Sequence, residues 1–107
     1  HELFDKVDAV SIASTTRSHY DIAKSFLVQG IHVLIEKPIT ETIDQAKELI
    51  QLANKHHVKL QVGHLERFNP AYMAVAQHID TPLLIEAERL APFKPRGADV
   101  NVVFDLM

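Results

Sequence analysis

The first 62 residues alternate between short apolar runs and stretches with helical spacing. Three runs rich in β-branched residues predict buried strands: Val7–Ala13, Ile31–Ile35 and Val58–Val62. Between them, apolar residues recur every three or four positions, which predicts two amphipathic helices. Gly30 has the residue type that ends a helix, and Thr42 with Gln45 predicts a capping box at the start of the second. The order strand, helix, strand, helix, strand is typical of parallel βαβ units and predicts an α/β fold.

The pattern changes after Gly63. Asn69 and Pro70 have the residue types of a helix N-cap and first turn, and helical spacing follows them. Loose alternation over Leu83–Leu90 predicts a half-exposed strand. We therefore expect a domain boundary between Gly63 and Asn69.

The handedness of the strand–helix–strand crossovers predicts on which face of the sheet the helices lie. Crossovers between parallel strands are right-handed, so three strands in sequence order put both helices on one face of the sheet. The other face would be apolar and bare, whereas all-parallel sheets are normally covered on both faces. Either a further segment or another copy of the chain would cover it.

Both ends of the chain look cut. It begins at His1 without an initiator methionine, and it ends in the apolar stretch Val102–Met107. We therefore expect the 107 residues to be an incomplete piece of a longer protein.

Composition excludes several classes of site. A hydrophobic share of 47% and a charged share of 23% are ordinary for a globular protein. The chain has no cysteine, which excludes disulfides and thiolate chemistry, and its histidines lack zinc-ligand spacing, so we expect no metal. A net charge of −3 without a basic cluster argues against nucleic acid, and no apolar run is long enough to cross a membrane. Gly30, Gly63 and Gly97 are too scattered to form a phosphate-binding loop.

Polar segments follow all three predicted strands. They are residues 14–19, Glu36-Lys37-Pro38 and residues 63–68. Ligands of open α/β sheets bind at the carboxyl ends of strands, so these segments could line one site. Lys37 could hydrogen-bond a reacting hydroxyl there, but a solvated turn with a surface ion pair also fits. His19 and His64 stand in the same loops, as site residues or as packing residues.

Asp105 lies within an apolar run, where a carboxylate is costly to bury without a partner. It is either an aspartate on a helix surface or a buried, oriented carboxylate. Its partner would then lie beyond the end of this chain.

These motifs resemble a known family. Val7–Ala13, His19, Gly30–Pro38, Gln61–His64 and Arg67–Pro70 resemble the NAD(P)-dependent sugar oxidoreductases of the glucose–fructose oxidoreductase and inositol dehydrogenase family, Gfo/Idh/MocA. Residues 63–70 and 96–107 resemble one branch more narrowly, the bacterial nucleotide-sugar dehydrogenases of the UDP-N-acetylglucosamine 3-dehydrogenase type.

The resemblance implies a Rossmann-type sheet and a second domain. Residues 1–66 would be the C-terminal half of a dinucleotide-binding domain, and residues 67–107 the start of a substrate-binding α/β domain. The glycine-rich loop of the family would precede His1, so we expect NAD or NADP in the full-length parent and none bound to this piece.

The resemblance also implies roles for particular residues. Lys37 matches a catalytic lysine that contacts the substrate hydroxyl and the nicotinamide ribose, and Asp105 matches the aspartate of an Asp-x-x-x-His motif. The matched cofactor-binding residues are Ser14, Thr15, His19, Glu36 and Lys37. The matched substrate-binding residues are Lys37, Arg96 and Asn101. The histidine of the motif would fall two positions after Met107.

Together these features predict part of an oxidoreductase that moves hydride between a nicotinamide cofactor and a sugar or nucleotide-sugar hydroxyl. We expect the parent to be a cytoplasmic homo-oligomer and the piece itself to be inactive. Two alternatives remain open: a non-catalytic α/β interaction module, and a reductase of the same family acting on another carbonyl or imine.

Overall fold

The computed structural model describes residues 2–86, 88 and 90. Seven elements follow one another along the chain: β1 (Ala9–Ile12), α1 (Thr16–Leu27), β2 (His32–Ile35), α2 (Ile43–Lys55), β3 (Leu60–Val62), a 3-10 helix (Leu65–Phe68) and α3 (Pro70–Ala76). Arg96, Asn101 and Asp105 lie outside the described residues.

The three strands form a parallel sheet in the order β1-β2-β3. Ile12 is paired with Ile35, and Ile35 with Val62, so the strands end at one level. This confirms the predicted α/β order and places the loops that follow the strands along one edge.

The core lies between the sheet and the two long helices. Leu27 of α1, Ile35 of β2 and Leu49 of α2 are fully buried in one apolar cluster. Burying a side chain of this size contributes about 1.5–3 kcal/mol. Both helices pack on the same face, as the right-handed crossovers predict.

The opposite face of the sheet is exposed and more polar than the sequence predicts. Ser11, Leu34 and Gln61 are neighbours in register across this face, and all three are exposed. Leu34 is the one large apolar side chain of the row, at 41% exposure. The expectation of an apolar face was therefore only partly correct, because alternate strand positions carry polar residues.

Local signals at the helix ends are confirmed. Gly30 follows α1 with a φ of +77°, a conformation that favours glycine. At the start of α2, the Gln45 N–H donates to the Thr42 hydroxyl over 3.3 Å, and the Thr42 N–H donates to the Gln45 side chain over 3.2 Å. Asn69 caps α3 by accepting from the Ala71 N–H at 2.9 Å.

The strand predicted over Leu83–Leu90 is not present in its described part. Residues 83–86 adopt no strand, and Leu83, Leu84 and Ile85 are largely exposed. A strand is stabilised by hydrogen bonds to a neighbour, and the sheet of the described residues pairs only β1, β2 and β3.

A polar cluster joins α1 to α2 at the surface. The Glu48 carboxylate accepts from the Tyr20 hydroxyl at 2.6 Å and from Lys24 Nζ at 2.7 Å. These hydrogen bonds lower the pKa of Glu48, and the one from Lys24 has the larger effect. The hydrogen bond to Glu48 is also the main cause that raises the pKa of Lys24.

Candidate active site at the carboxyl edge of the sheet

Hydrogen bonds extend the sheet by one residue beyond the ends of the strands. The Glu36 N–H donates to the Ile12 carbonyl at 2.9 Å, and the Gly63 N–H donates to the Ile35 carbonyl at 2.8 Å. Glu36 and Gly63 are therefore fixed side by side at the carboxyl edge. The structure brings the predicted strand-end segments together there.

The Glu36 side chain lies against Gly63. A Cβ atom on Gly63 would sit 3.2 Å from Cδ and Oε1 of Glu36 and 3.3 Å from Oε2. Contacts this short are closer than ordinary van der Waals distance, so the absence of a side chain at Gly63 provides the space for the carboxylate. Glu36 is half-buried in this position.

The turn after Glu36 is anchored on both sides. The Lys37 N–H donates to the Glu36 carboxylate at 3.3 Å, and the Lys37–Pro38 peptide bond is cis. Downstream, Ile39 packs on the core, and the buried Thr40 donates its hydroxyl to the Thr42 carbonyl at 2.8 Å. The Lys37 side chain is exposed at the edge, on a backbone that the neighbouring residues hold.

His19 is buried beneath the edge, at 1% exposure. Its Nδ1 atom lies 2.9 Å from the Pro38 carbonyl oxygen, and its Nε2 atom lies 3.1 Å from the Ser14 carbonyl oxygen. The ring thus joins the loop after β1 to the turn after β2. Both of its polar atoms face the protein backbone.

Hydroxyl groups surround the start of α1. The Ser18 hydroxyl lies 2.8 Å from the Ser14 hydroxyl and 2.8 Å from the Thr15 carbonyl oxygen. Ser14 and Thr15 are exposed, while Ser18 is half-buried. Ser18 lies within the predicted segment 14–19, but it was not among the residues matched to cofactor binding.

His64 also lies at this edge. It follows Gly63 directly, its side chain is exposed, and it precedes the 3-10 helix. Its backbone N–H donates to the Val62 carbonyl at 2.8 Å, which turns the chain away from the sheet. Among residues 2–86, 88 and 90, no group of three His, Cys, Asp or Glu side chains is arranged to hold a metal ion.

Residues 1–64 match the model of the Gfo/Idh/MocA oxidoreductase family, which is described as having an NAD-binding Rossmann fold. The chain belongs to this family. The resemblance of the Glu36-Lys37-Pro38 segment and its flanking strands is thereby confirmed, as is the Rossmann-type fold class.

A nucleotide-sugar dehydrogenase is among the Gfo/Idh/MocA relatives. UDP-N-acetylglucosamine 3-dehydrogenase of Acidithiobacillus ferrooxidans is 44% identical over 106 residues, which are 98% of this chain and 34% of the relative. A solved structure of that enzyme, GnnA, superposes with a TM-score of 0.89 over 99% of this chain and 36% of its own. The chain therefore spans about a third of the length of this relative.

Two other relatives show the breadth of the family. Inositol 2-dehydrogenase of Rhizobium meliloti is 33% identical over 77% of this chain and 25% of its own length. A biliverdin reductase of Synechocystis, solved with biliverdin and NADP+, is 35% identical, with a TM-score of 0.63 over 67% of this chain and 23% of its own.

The longest helix of the described residues has 13 residues, and none is long and apolar enough to span a membrane.

Proposed function

We propose that the chain is part of a longer NAD(P)-dependent dehydrogenase that oxidises a hydroxyl of a nucleotide sugar. Residues 1–66 would be the C-terminal half of the dinucleotide-binding domain, and residues 67–107 the start of the substrate domain. The observation that carries the proposal is the anchored Glu36-Lys37-Pro38 turn at the carboxyl edge. Identity of 44% to a UDP-N-acetylglucosamine 3-dehydrogenase supports the substrate class.

The side chains at the edge fit the ribose end of a nicotinamide nucleotide. Ribose hydroxyls both donate and accept hydrogen bonds, and Glu36 offers a half-buried carboxylate. Ser14 and Thr15 offer exposed hydroxyls on the adjacent loop. We assign these residues to the ribose and its neighbouring groups, with NAD and NADP both compatible.

Lys37 is the proposed catalytic residue of the described part. Glu36, Ser14 and Thr15 would hold the nicotinamide nucleotide, which would supply the acceptor for the hydride of the sugar carbon. The Lys37 ammonium hydrogen-bonds the sugar oxygen and stabilises the negative charge that develops on it as the hydroxyl proton leaves. Asp105 would orient the base that accepts this proton, while Arg96 and Asn101 would bind the substrate.

A kinetic comparison of two lysine variants tests this assignment. The complete protein is assayed with UDP-N-acetylglucosamine and either NAD or NADP by the absorbance of the reduced cofactor. Lys37→Met should lower kcat by roughly 10²–10³-fold, the effect of removing one group that stabilises developing charge. Lys47→Met changes an exposed lysine of α2 and should leave kcat unchanged.

Each outcome bears on a separate part of the proposal. Full activity of Lys37→Met would remove Lys37 from the mechanism. Absence of turnover by the unsubstituted protein with every nucleotide sugar would overturn the substrate class.

A reductase is the second candidate, because the chain is also 35% identical to a biliverdin reductase. Here hydride would pass from the reduced cofactor to an unsaturated substrate. Oxidation of NADPH by linear tetrapyrroles or imines, without turnover of nucleotide sugars, would favour this candidate.

We further propose that the protein is a cytoplasmic homo-oligomer. The exposed row Ser11, Leu34 and Gln61 leaves one sheet face available for contact with another part of the protein or with another copy. Sedimentation of the complete protein tests the oligomeric state, and a monomer at micromolar concentration would overturn it.

A further inference from the structure

The buried position of His19 indicates a role other than direct contact with a ligand. The ring is 1% exposed, and each nitrogen lies at hydrogen-bond distance from a backbone carbonyl. The two carbonyls belong to Ser14 and Pro38, which are on different loops of the site. His19 therefore connects two segments that are 24 residues apart in the sequence.

The contact with Pro38 lies next to the proposed catalytic lysine. The Pro38 carbonyl is one residue beyond Lys37, and the Nδ1 contact fixes it at 2.9 Å. On the other side of Lys37, the Glu36 N–H is bonded to Ile12. The Lys37 backbone is thus held between the sheet ladder and the His19 ring.

We propose that His19 is a positioning residue for Lys37, an inference that rests on the proposed function. By bonding the Pro38 carbonyl, His19 sets the direction in which the Lys37 side chain leaves the turn. Its other nitrogen lies 3.1 Å from the Ser14 carbonyl oxygen, so the ring also packs against the loop assigned to the cofactor and keeps it in register with that turn. Its effect on catalysis passes through these two backbone segments.

An imidazole suits this position because its nitrogens point to different sides of a rigid ring. Carbonyl oxygens only accept, and a neutral imidazole carries one N–H, so the ring donates to one of the two carbonyls at a time while its other nitrogen lies against the second. A phenylalanine would fill similar space but would offer a donor to neither carbonyl. A glutamine would keep one donor group and lose the rigid connection between the loops.

A double-mutant cycle in the complete enzyme separates positioning from general support of the fold. His19→Phe should lower kcat by about tenfold to a hundredfold, since misplacement of a catalytic group by about 1 Å has an effect of this size. The double variant His19→Phe/Lys37→Met should have the same kcat as Lys37→Met alone, because His19 acts through Lys37. His19→Gln should recover part of the lost kcat.

The control is another histidine that bonds the backbone. His32 lies at the other end of the sheet, where its Nδ1 accepts from the Lys59 N–H at 2.8 Å. His32→Gln should leave kcat unchanged. Independent, additive losses in the His19–Lys37 cycle would overturn the proposal. A rise of more than about tenfold in the Kd of the cofactor with an unchanged kcat would identify His19 as a cofactor contact instead.

Hydrogen exchange provides a readout that does not depend on turnover. In His19→Phe, the amides of Lys37 and Ile39 should exchange at least about tenfold faster, while those in the middle of α2 keep their rates. His19→Gln is measured in the same way if the phenylalanine variant does not fold. Unchanged exchange at Lys37 and Ile39 would overturn the proposal. If the unsubstituted protein shows no dehydrogenase activity but exchange is faster in His19→Phe, the proposed function is overturned. The contact by which His19 holds the turn would still be supported.

Discussion

The Glu36 carboxylate occupies the space that a side chain at position 63 would fill. Three of its atoms would lie 3.2 to 3.3 Å from a Cβ on Gly63. Gly63 does not have the positive φ that Gly30 has, so space and not backbone conformation explains the glycine. The position of the acid at the carboxyl edge therefore depends on a residue in the next strand-end loop.

Gly63→Ala should displace the Glu36 side chain. We expect a loss of about 1 kcal/mol in the free energy of unfolding, at the low end of overpacking, because the contacting atoms are the end of a flexible side chain. The KM of the cofactor should rise several-fold because Glu36 is assigned to the ribose. Urea denaturation and steady-state kinetics of the complete protein measure the two effects.

A double variant identifies the cause of the Gly63→Ala effect. Shortening the acid in Glu36→Ala removes the atoms that the new methyl group would meet. Gly63→Ala should then produce little further loss of stability in the Glu36→Ala background. Equal losses in both backgrounds would contradict the steric explanation.

Gly30→Ala tests the opposite case, a glycine required for its conformation. A Cβ on Gly30 would meet no atom within 4 Å, but its φ of +77° is strained for alanine. We expect a loss of roughly 1–2 kcal/mol, measured by urea denaturation. Gly30→Asn should lose less, because asparagine tolerates this conformation. Equal losses for both variants would argue against strain as the cause.

Local signals in the sequence predicted most of the helices and strands, but they did not predict contacts between residues far apart in the sequence. The Thr42–Gln45 capping box joins residues three positions apart, so the residue types alone specify it. His19 could be placed in a strand-end loop. Its bond to Pro38 could not be predicted, because it depends on how two loops meet after the sheet has formed.

The same distinction explains Gly63 and the Leu83–Leu90 segment. Nothing near Gly63 in the sequence indicates that Glu36, 27 residues earlier, fills the adjacent space. Alternation over Leu83–Leu90 is a local pattern, but a strand also needs a neighbour, and the pattern carries no information about one. Residues 83–86 accordingly adopt no strand.

Leu49→Ala should be the most destabilising of these substitutions. Leu49 is fully buried between α2 and the sheet, and a cavity at such a site lowers the free energy of unfolding by about 2–5 kcal/mol. Ile50 is the next residue of the same helix and is 50% exposed, so Ile50→Ala provides a matched control with a smaller loss. Urea denaturation measures both. Comparable losses would contradict the assignment of Leu49 to the core.

The Glu48 cluster predicts how stability depends on pH. Hydrogen bonds from Lys24 and Tyr20 lower the pKa of Glu48 below its ordinary value of 4.5. The stabilisation that the ionised Glu48 carboxylate provides is therefore complete above pH 4.5. It is lost as the pH falls from 4.5 through the lowered pKa of the folded state. The pKa of Lys24 is raised above 10.5, so its contribution is complete below that pH and is lost as the pH rises through the higher pKa of the folded state.

Glu48→Gln removes the charge while keeping a hydrogen-bond acceptor. Its loss of stability relative to the unsubstituted protein should be constant between about pH 6 and pH 9 and should shrink in more acidic solution. The loss should be small, and salt should reduce it, because both side chains are more than 40% exposed. Glu41→Gln, in the more exposed and longer pair with Arg17 at 3.7 Å, is the matched control and should show a weaker dependence. Urea midpoints measured from about pH 9 down to below pH 4.5 provide the comparison, and a loss that grows on acidification would contradict the assigned pKa direction.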